Sequence, residues 1–365
     1  RVLFRSTQTE KARLGKRPQL FNKGRKLTGD SISYDKKTGF SQAFRNIVFT
    51  DSTDANNKNI LMGDYGWYKE KVGEALATKR ALAKNFSRNA DTLYVHADTL
   101  RLFSYDLRTD SAYRVLHGYF HVRAYRTDVQ AVCDSLVFHS KLRKLSLYRD
   151  PIAWSDDRQI LGEEINVYTN DSTLDSVYVE RQALIVQQLP DTVHFNQVSG
   201  NMLQAYFAKG QLYQARVNGN AMVINFPIEK DSSLLYQNYC EAAKMRIDIV
   251  DRKMRRYWAG PSPIAKTYPI NMAPAEHTKF SNFAWFSRIR PQGPHDLFEW
   301  RAKSDENKLK ILPRRAAPMQ TLDKNKATGA SQWEKKIEVP LETPTSPPTQ
   351  TSVNDSLPSN SSNTH

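Results

Sequence analysis

Acidic side chains recur in the first half of this chain at spacings that could align several carboxylates. They are Asp30, Asp64, Asp98, Asp134 and Glu163. A catalytic acid–base pair needs two carboxylates in different environments, so that their pKa values differ. Five equivalent carboxylates are better explained as a solvated edge at a repeated turn, where Asp is common. We therefore expect this acidic column to be structural.

Three histidines are the candidates for a metal site. His117 and His121 are four residues apart and would share one face of a strand, and His139 follows nearby in the sequence. A zinc site needs further ligands in convergent geometry, and no Cys or His motif of recognised spacing completes one. The sequence also contains no Gly-rich phosphate loop, zinc-protease pattern or nucleophile elbow. We expect no enzyme activity, no bound metal and no cofactor.

A module that recurs seven times positions these side chains. Each copy has an apolar residue, a small residue two positions later, usually an acidic residue, and further apolar residues three and five positions after the small one. The small residues are Gly29, Gly63, Ala97, Cys133, Gly162, Gly200 and Ala242. Their spacing of 29 to 42 residues is typical of stacked repeats, in which each unit buries its apolar face against its neighbours.

Each module is predicted to form a strand, a turn and a return strand. Return segments such as 43–49, 113–122 and 177–186 alternate Val, Ile, Tyr and Phe with polar residues and are bounded by turn formers. Residues 68–84 contain several helix-forming residues, but their position within the period favours a strand. Residues 17–28 resemble the closing half of a module, so we expect the sequence to begin partway through a longer protein.

The parity of the apolar positions constrains the fold. The residues two before and three after the small residue would face opposite sides of an unbroken strand, yet both are apolar. Either the strand is buried on both faces, or a bulge or corner at the small residue exchanges the faces. A corner repeated in every module would fold the sheet into two leaves. We predict an all-β fold, an open, elongated β-jelly roll of antiparallel strands over residues 1–270.

Two further segments follow the predicted jelly roll. Residues 271–338 form a non-repeat segment that is aromatic at first and then basic. Residues 339–365 are rich in Pro, Ser, Thr and Asn, which predicts a disordered tail.

Charge and cysteine content limit the function classes. The net charge is +15, but residues 27–270 contribute only +4 of it. A nucleic-acid-binding domain would concentrate its basic residues on one face, so nucleic acid is an improbable partner. The sequence contains no run of 18 apolar residues, so it predicts no membrane-spanning helix.

The two cysteines are too far apart to form a disulfide. Cys133 and Cys240 lie three modules apart, about 14 Å across the strands, so we expect both thiols to be free.

The apolar residues after each small residue form the column that could bind a ligand. Two interpretations remain open: these side chains fill an ordinary sandwich core, or they line a continuous groove that takes acyl chains. The column consists of Ile32, Tyr34, Tyr68, Leu100, Leu102, Leu136, Phe138, Ile165, Val167, Leu203, Met245 and Ile247.

The modules resemble the OstA-like repeat of the LptA-type lipopolysaccharide-transport family, which includes the N-terminal domain of LptD. The residues that carry the resemblance are Leu27-Thr-Gly-Asp-Ser-Ile-Ser-Tyr-Asp35, Val95-His-Ala-Asp-Thr-Leu100 and Ala131-Val-Cys-Asp-Ser-Leu136, with the return segment 215–221. The likeness covers residues 15–270.

This resemblance implies a lipopolysaccharide-binding and transport protein of outer membrane assembly, located in the periplasm of a Gram-negative bacterium. Acyl chains of lipid A would lie in the apolar groove, while phosphate and sugar would stay at its mouth near Arg101, Arg123 and Lys141. Open sheet edges would join similar jelly rolls, or a second copy, end to end. The alternative is a structural or adhesive β-repeat protein without a lipid cavity.

The sequence departs from the family pattern in two respects. Gly66 and Ala205 replace large apolar residues, so the groove is expected to be interrupted or widened there. A long loop at Thr50–Asn59 and the residues after 276 are not part of the repeat, and the resemblance assigns them no role.

Overall fold

The computed structural model describes most of the first 301 residues. The described residues are 2–6, 10–22, 24–52, 57–87, 90–106, 112–170, 173–209, 211–229, 231, 233–250 and 253–301. One compact unit spans Arg1–Pro318, and a second, Met319–His365, lies outside the described residues. The predictions for residues 302–338 and for the tail at 339–365 therefore also fall outside them.

Antiparallel strands dominate the described residues and confirm the predicted all-β class. The strands are β1 (Val2–Ser6), β2 (Lys11–Gly15), β3 (Gln19–Asn22), β4 (Arg25–Thr28), β5 (Ser31–Asp35), β6 (Phe40–Asp51), β7 (Asn57–Lys69), β8 (Glu74–Ser87), β9 (Ala90–Tyr105), β10 (Tyr113–Arg126), β11 (Val129–His139), β12 (Lys144–Tyr148), β13 (Ile152–Ser155), β14 (Arg158–Leu161), β15 (Glu164–Asn170), β16 (Thr173–Gln188), β17 (Phe195–Ala208), β18 (Gln211–Asn225), β19 (Tyr236–Val250), β20 (Lys253–Gly260) and β21 (Ile264–Pro269).

In the described part of the chain, helical structure is confined to short turns after β21. One α-helical turn, α1, spans Ala275–Thr278, and 3-10 turns span Ile270–Met272, Ser287–Ile289 and Pro294–Phe298. Among the described residues, no helix has the length and apolar character needed to cross a membrane.

The strands form two leaves, because each long strand bends once and contributes one half to each leaf. Leaf A contains β3, β4, β13, β14, β21 and the halves of the long strands that pair with them. Leaf B contains β2, β5, β12, β15, β20 and the other halves. The predicted two-leaf jelly roll is thus confirmed.

The bend in each return strand is a pair of consecutive residues in the left-handed region of backbone space. In β6 these are Arg45 and Asn46, with φ of 56° and 48°. The same pair recurs at Lys79–Arg80, Phe120–His121, Arg181–Gln182 and Gly219–Asn220, and between short strands at Lys16–Arg17 and Arg149–Asp150. The strand register shifts at each pair in the long strands. The corner therefore lies opposite the small residue of the module, in the return strand.

This corner explains the parity of the sequence pattern. Val95 and Leu100, which flank Ala97 in the third module, are 5% and 0% exposed and belong to the same core. The apolar residues on either side of the other small residues also point into the space between the leaves. The predicted exchange of faces is therefore confirmed.

The acidic column lies along the outside of these corners, as predicted. The backbone N–H of Asp30 donates to the carbonyls of Phe44 and Arg45 at the corner of β6. Carboxylates also pair with corner side chains, as in Asp98–His121 (2.7 Å), Asp134–Arg149 (3.5 Å) and Glu163–Arg181 (2.5 Å). The acidic residues of these three pairs are exposed or half-buried, so each pair contributes about 0.2–1 kcal/mol.

Several local expectations have clear outcomes. Residues 68–84 contain the end of β7 and the start of β8, which confirms the strand. The loop expected at Thr50–Asn59 is shorter than predicted, because the backbones of Thr50 and Asp51 pair with those of Ile60 and Asn59. Both cysteines are buried and form no disulfide, as expected. β2 and β3, joined by the corner at Lys16–Arg17, form the return half of a module.

The close approach of the strands at Gly162 predicts a size limit there. A Cβ atom on Gly162 would overlap Cγ1 of the buried Val179, whereas one on Gly29 would meet nothing closer than 3.5 Å. We expect Gly162→Ala to destabilise the fold by about 1–3 kcal/mol through overpacking. Gly29→Ala is the matched control and should have little effect. Urea unfolding of both variants measures the difference, and equal stability would contradict the packing described.

Candidate functional site

The interior between the leaves is organised as rows that cross the strands. The row nearest the corner in leaf B, called here the deep row, contains the residues three positions after each small residue and their cross-strand partners. In order across the leaf it consists of Leu14, Ile32, Ala43, Gly66, Ala77, Leu100, Gly118, Leu136, Leu147, Ile165, Val179, Leu203, Val217, Met245 and Ala259.

The next row outward in leaf B, called here the rim row, contains the residues five positions after each small residue and their cross-strand partners. It consists of Ala12, Tyr34, Ser41, Tyr68, Ala75, Leu102, Leu116, Phe138, Leu145, Val167, Val177, Ala205, Ala215, Ile247 and Tyr257. The two rows therefore include every residue of the predicted apolar column.

Burial differs between the two rows. The predicted residues of the deep row, Ile32, Leu100, Leu136, Ile165, Leu203 and Met245, are at most 1% exposed. Those of the rim row, Tyr34, Tyr68, Leu102, Val167 and Ile247, are half-buried, and Phe138 is 37% exposed. The deep row fills the space between the leaves as an ordinary core would, whereas the rim row leaves apolar surface accessible to solvent.

The three basic residues predicted at the groove mouth occupy three different environments. Lys141 lies in the turn after β11, exposed, with its ammonium 5.3 Å from the ring centre of Tyr113. Arg101 lies on the outer face of leaf B, where its Nε donates to Glu74 at 2.8 Å. This hydrogen bond is the main cause of the lowered pKa of Glu74. Only Lys141 is at the strand ends where the leaves open.

Arg123 does not lie at the groove mouth, contrary to the expectation. It is 1% exposed on the outer face of leaf A, where it pairs with Asp296 at 3.1 Å and donates to the carbonyl of Glu299. Burial lowers the pKa of Arg123, and the carboxylate of Asp296 opposes that effect. The sequence could not reveal this position, because both partners lie more than 170 residues away along the chain.

The partners of Arg123 belong to a segment that covers the outer face of leaf A. Residues 277–301, called here the strap, run from β19 and β21 towards β9 and β10, crossing the strands in reverse chain order. Apolar strap residues and outward-facing strand residues form a second core, which includes Trp154, Leu184, Ile224, Phe280 and Phe286. The aromatic residues that the sequence left unassigned thus pack against the repeat body.

Buried glutamines on alternate strands of leaf A bind the strap backbone. Gln159 is fully buried, donates to the carbonyl of Ala284 at 2.8 Å and accepts from the N–H of Phe286 at 2.8 Å. Gln197 accepts from the N–H of Phe280 and donates to the carbonyl of Thr278, both at 3.0 Å.

Two further glutamines also contact the strap. Gln237 donates to the carbonyl of His277, and Gln130 accepts from Arg290 at 2.8 Å. Gln130, Gln159 and Gln197 all lie three positions before a small residue. Gln at this position in three consecutive modules is the signal that could have predicted an outer binding partner for leaf A.

The three candidate metal-ligating histidines do not converge. His117 lies on the outer face of leaf B, 3.1 Å from the hydroxyl of Tyr119. His121 belongs to the corner, pairs with Asp98 and lies 4.6 Å from the ring of Trp300. The expectation that His117 and His121 share a face is wrong, because the corner at Phe120–His121 separates them. Within the described ranges, no group of three or more His, Cys, Asp or Glu side chains could hold a metal ion.

Comparison with solved structures finds a likeness to LptH, the LptA-homologous periplasmic component of the lipopolysaccharide transport device from Pseudomonas aeruginosa. Its crystal structure aligns with 38% of this chain and 93% of its own, at 16% identity and a TM-score of 0.30. Neither a protein-family model nor a curated protein matches the sequence.

The glutamine contacts predict a large effect of removing one of them. Gln159→Leu would leave the carbonyl of Ala284 and the N–H groups of Phe286 and Trp154 without their partner. Because buried unpaired groups are costly, we expect a loss of at least about 2 kcal/mol in unfolding free energy, with faster hydrogen exchange in the strap. Gln204→Leu on the outer face of leaf B is the control, with an expected change within about 0.5 kcal/mol. Equal effects would contradict a strap held by Gln159.

His96 predicts an acid-sensitive end of the strap. Its ring is 9% exposed, lies 4.9 Å from that of Phe298, and has a pKa lowered mainly by burial. Since the lowered pKa favours the neutral form, the stabilisation is complete above about pH 6.5 and is lost as the pH falls towards the folded-state pKa. We expect the hydrogen-exchange protection factors of residues 296–301 to fall on acidification in the native chain. The fall should be smaller in His96→Gln, and an identical pH profile of the protection factors would contradict this role.

Proposed function

We propose that this chain binds lipopolysaccharide through its acyl chains and passes it along the groove during outer membrane assembly, in the periplasm of a Gram-negative bacterium. The sequence resemblance to the OstA-like repeat suggests this function. The observation that carries it is the rim row, which crosses the modules between the two leaves and includes partly exposed apolar side chains such as Leu102, Phe138 and Val167.

Apolar burial supplies the binding energy in this proposal. The half-buried residues Leu102, Leu116, Leu145 and Val167 of leaf B pack against the same core as Ile160, Ile185 and Val198 of leaf A. An acyl chain lying on this surface would gain about 0.8 kcal/mol for each methylene group removed from water. The modules repeat the same side-chain chemistry, so a chain could move along them without meeting one deep trap.

Polar parts of the lipid would remain outside the groove. Lys141 lies at the strand ends of leaf B and is exposed, so it can contact a phosphate group. Arg101 and Arg123 are not assigned this role, because each is engaged on an outer face of the sandwich.

Open edges would provide the contacts to the next jelly roll or to a second copy. Among the described strands, β20 and β21 pair with β19 alone. Trp258 on β20 is 53% exposed and Ile264 on β21 is 47% exposed. An unpaired edge with apolar side chains can accept a further strand by main-chain hydrogen bonding.

The second candidate is a structural or adhesive repeat protein without a lipid cavity. The packed part of the deep row favours it, because Leu136, Leu147, Ile165, Val179, Leu203 and Val217 are all at most 1% exposed. In that case the rim row would be only the edge of a closed core.

Bound lipid distinguishes the two candidates. We expect native mass spectrometry of the chain exported to the periplasm of a lipopolysaccharide-producing bacterium to reveal a co-purified lipid A species. A photoreactive amino acid at Leu102 or Phe138 should crosslink to that lipid, since both side chains lie on the rim row. The same probe at Tyr178, on the outer face of leaf B between Tyr168 and Tyr206, is the control. Lack of both bound mass and rim crosslinks would favour the structural candidate.

A further inference from the structure

A row of side chains on the outer face of leaf A changes character from one end of the leaf to the other. Gln130, Gln159 and Gln197, which contact the strap, belong to a single cross-strand row, called here the outer row. The outer row continues through β10, β9, β8, β7 and β6 to Lys26 of β4 and Phe21 of β3. Lys26, like the glutamines, stands three positions before the small residue of its module. One end of the row thus binds a peptide backbone, whereas the other end presents a cation.

The described strap contacts stop before this cationic end. The last ring contacts of the strap are to Arg80 on β8, His96 on β9 and His121 on β10. Within the described part of the chain, no contact joins the strap to β3, β4, β6 or β7. The side chains of Phe21 and Lys58 on these strands are exposed. The outer face of leaf A therefore has a strapped part and, at its N-terminal end, a part that the described strap leaves uncovered.

A surface pocket lies at this uncovered end. Its volume is about 370 Å³, which is within the range of ligand sites, and residues of β3, β4, β6 and β7 line it. Phe21, Lys26 and Thr50 are direct cross-strand neighbours in the outer row, so their side chains share one face. The N–H of Ser52 donates to the carbonyl of Gly24 at 3.1 Å, which joins the end of β6 to the start of β4. Backbone pairing thus fixes the walls of the pocket.

Basic side chains dominate the lining of the pocket. Lys26, Lys58 and Arg25 line it, and none of its described lining residues is acidic. Asp51 pairs with Arg25 at 3.4 Å but is shared with Arg114 at 2.6 Å, so this carboxylate does not neutralise Arg25 alone. The pocket therefore attracts an anion.

The mixture of donors in the pocket suits a phosphate group. A Lys ammonium binds phosphate as a point charge, and an Arg guanidinium donates hydrogen bonds to its oxygens. The hydroxyl groups of Thr50 and Ser52 lie in the same pocket and can donate to further oxygens. A phosphate has more acceptor oxygens than a carboxylate, so it can use more of these donors at once.

Phe21 indicates the source of that phosphate. Its ring is 70% exposed, and the ammonium of Lys26 lies 5.3 Å from the ring centre. A free phosphate ion in the pocket would leave this ring in water. At a membrane surface, the ring can enter the boundary between headgroups and acyl chains while the adjacent cations contact lipid phosphates. Each basic residue near an anionic leaflet adds to the attraction.

We propose that the N-terminal end of the outer face of leaf A docks on a membrane by binding the phosphate headgroup of an anionic lipid. The phosphate lies in the pocket between Lys26, Lys58 and Arg25, and Phe21 inserts beside it. Lys26 and Phe21 point away from the groove, so this contact is independent of acyl-chain binding along the rim row. The site holds the first modules at the bilayer surface.

Vesicle flotation of the full chain tests the basic half of the site. The native chain should float with vesicles of phosphatidylcholine and phosphatidic acid but not with phosphatidylcholine alone. The double variant Lys26→Gln/Lys58→Gln should bind the phosphatidic acid vesicles at least about tenfold more weakly, because it loses two positive charges at the membrane. Lys244→Gln/Lys266→Gln removes the same charge from exposed positions on β19 and β21 and is the control, expected to stay within about twofold of the native chain. Circular dichroism verifies that each variant folds.

A second variant tests the apolar half and the source of the phosphate. Phe21→Ala should weaken binding to the phosphatidic acid vesicles at least about threefold, because apolar area that enters the bilayer is lost. Val193→Ala, at an apolar residue that is 69% exposed before β17, is the control and should bind as the native chain does. Inorganic phosphate at the concentration of the lipid phosphate should not displace the native chain from the vesicles.

The other outcomes each overturn the proposal. Failure of the native chain to bind phosphatidic acid vesicles contradicts membrane docking outright. Equal losses in the two lysine double variants would mean that the total charge, and not the pocket, attracts the membrane. Displacement by inorganic phosphate, with unchanged binding of Phe21→Ala, would assign the pocket to a soluble phosphate compound. None of these results alters crosslinking at Leu102 or Phe138, which tests the groove function separately.

Discussion

The whole structure depends on two consecutive left-handed residues in each return strand. The left-handed backbone conformation costs a residue other than glycine about 1–2 kcal/mol. In pairs such as Lys79–Arg80 and Arg181–Gln182 both residues adopt it, so this cost arises twice at each corner. The surroundings offset this cost: the acidic residue of the module binds the corner, as Asp30 does at β6 and Glu163 at β16. A small residue opposite the corner lets the two backbones approach. Without this bend, the strands would form one sheet with apolar residues on both faces.

The corners produce two leaves that enclose a core, and the side chains that fill this core change in size along the modules. The strapped part is closed by branched side chains in the deep row and held from outside by glutamines such as Gln159 and Gln197. The first modules have the small residues Ala43, Gly66 and Ala77 in the same row, and an ion-pair cluster around Asp51 joins the two leaves there. One repeat thus produces interior rows that are packed by side chains of different size.

Much of the fold was predictable from the sequence, because the spacing of the modules and the alternation of apolar residues within them can both be read from short stretches of chain. Apolar residues on both sides of Ala97 or Cys133 indicated either a strand buried on both faces or a corner, and carboxylates such as Asp98 indicated a solvated edge. The candidate site was only partly predictable. The pattern identified Leu100 and Leu102 as neighbours on one inward face, but it did not distinguish a buried deep row from a half-exposed rim row. The distinction depends on how far each residue lies from the corner and on what the opposite leaf places against it.

The sequence by itself determined the strand class, the seven modules, the inward residues and the acidic outer edge, since each follows from spacing along a few neighbouring residues. Only the tertiary structure decided that Arg123 is buried under the strap, that Gln159 binds a backbone 125 residues away, and that Ala43, Gly66 and Ala77 are adjacent. These facts depend on the pairing of strands and on a segment returning across them. Such contacts join residues far apart in the chain, so local spacing does not identify which residues meet.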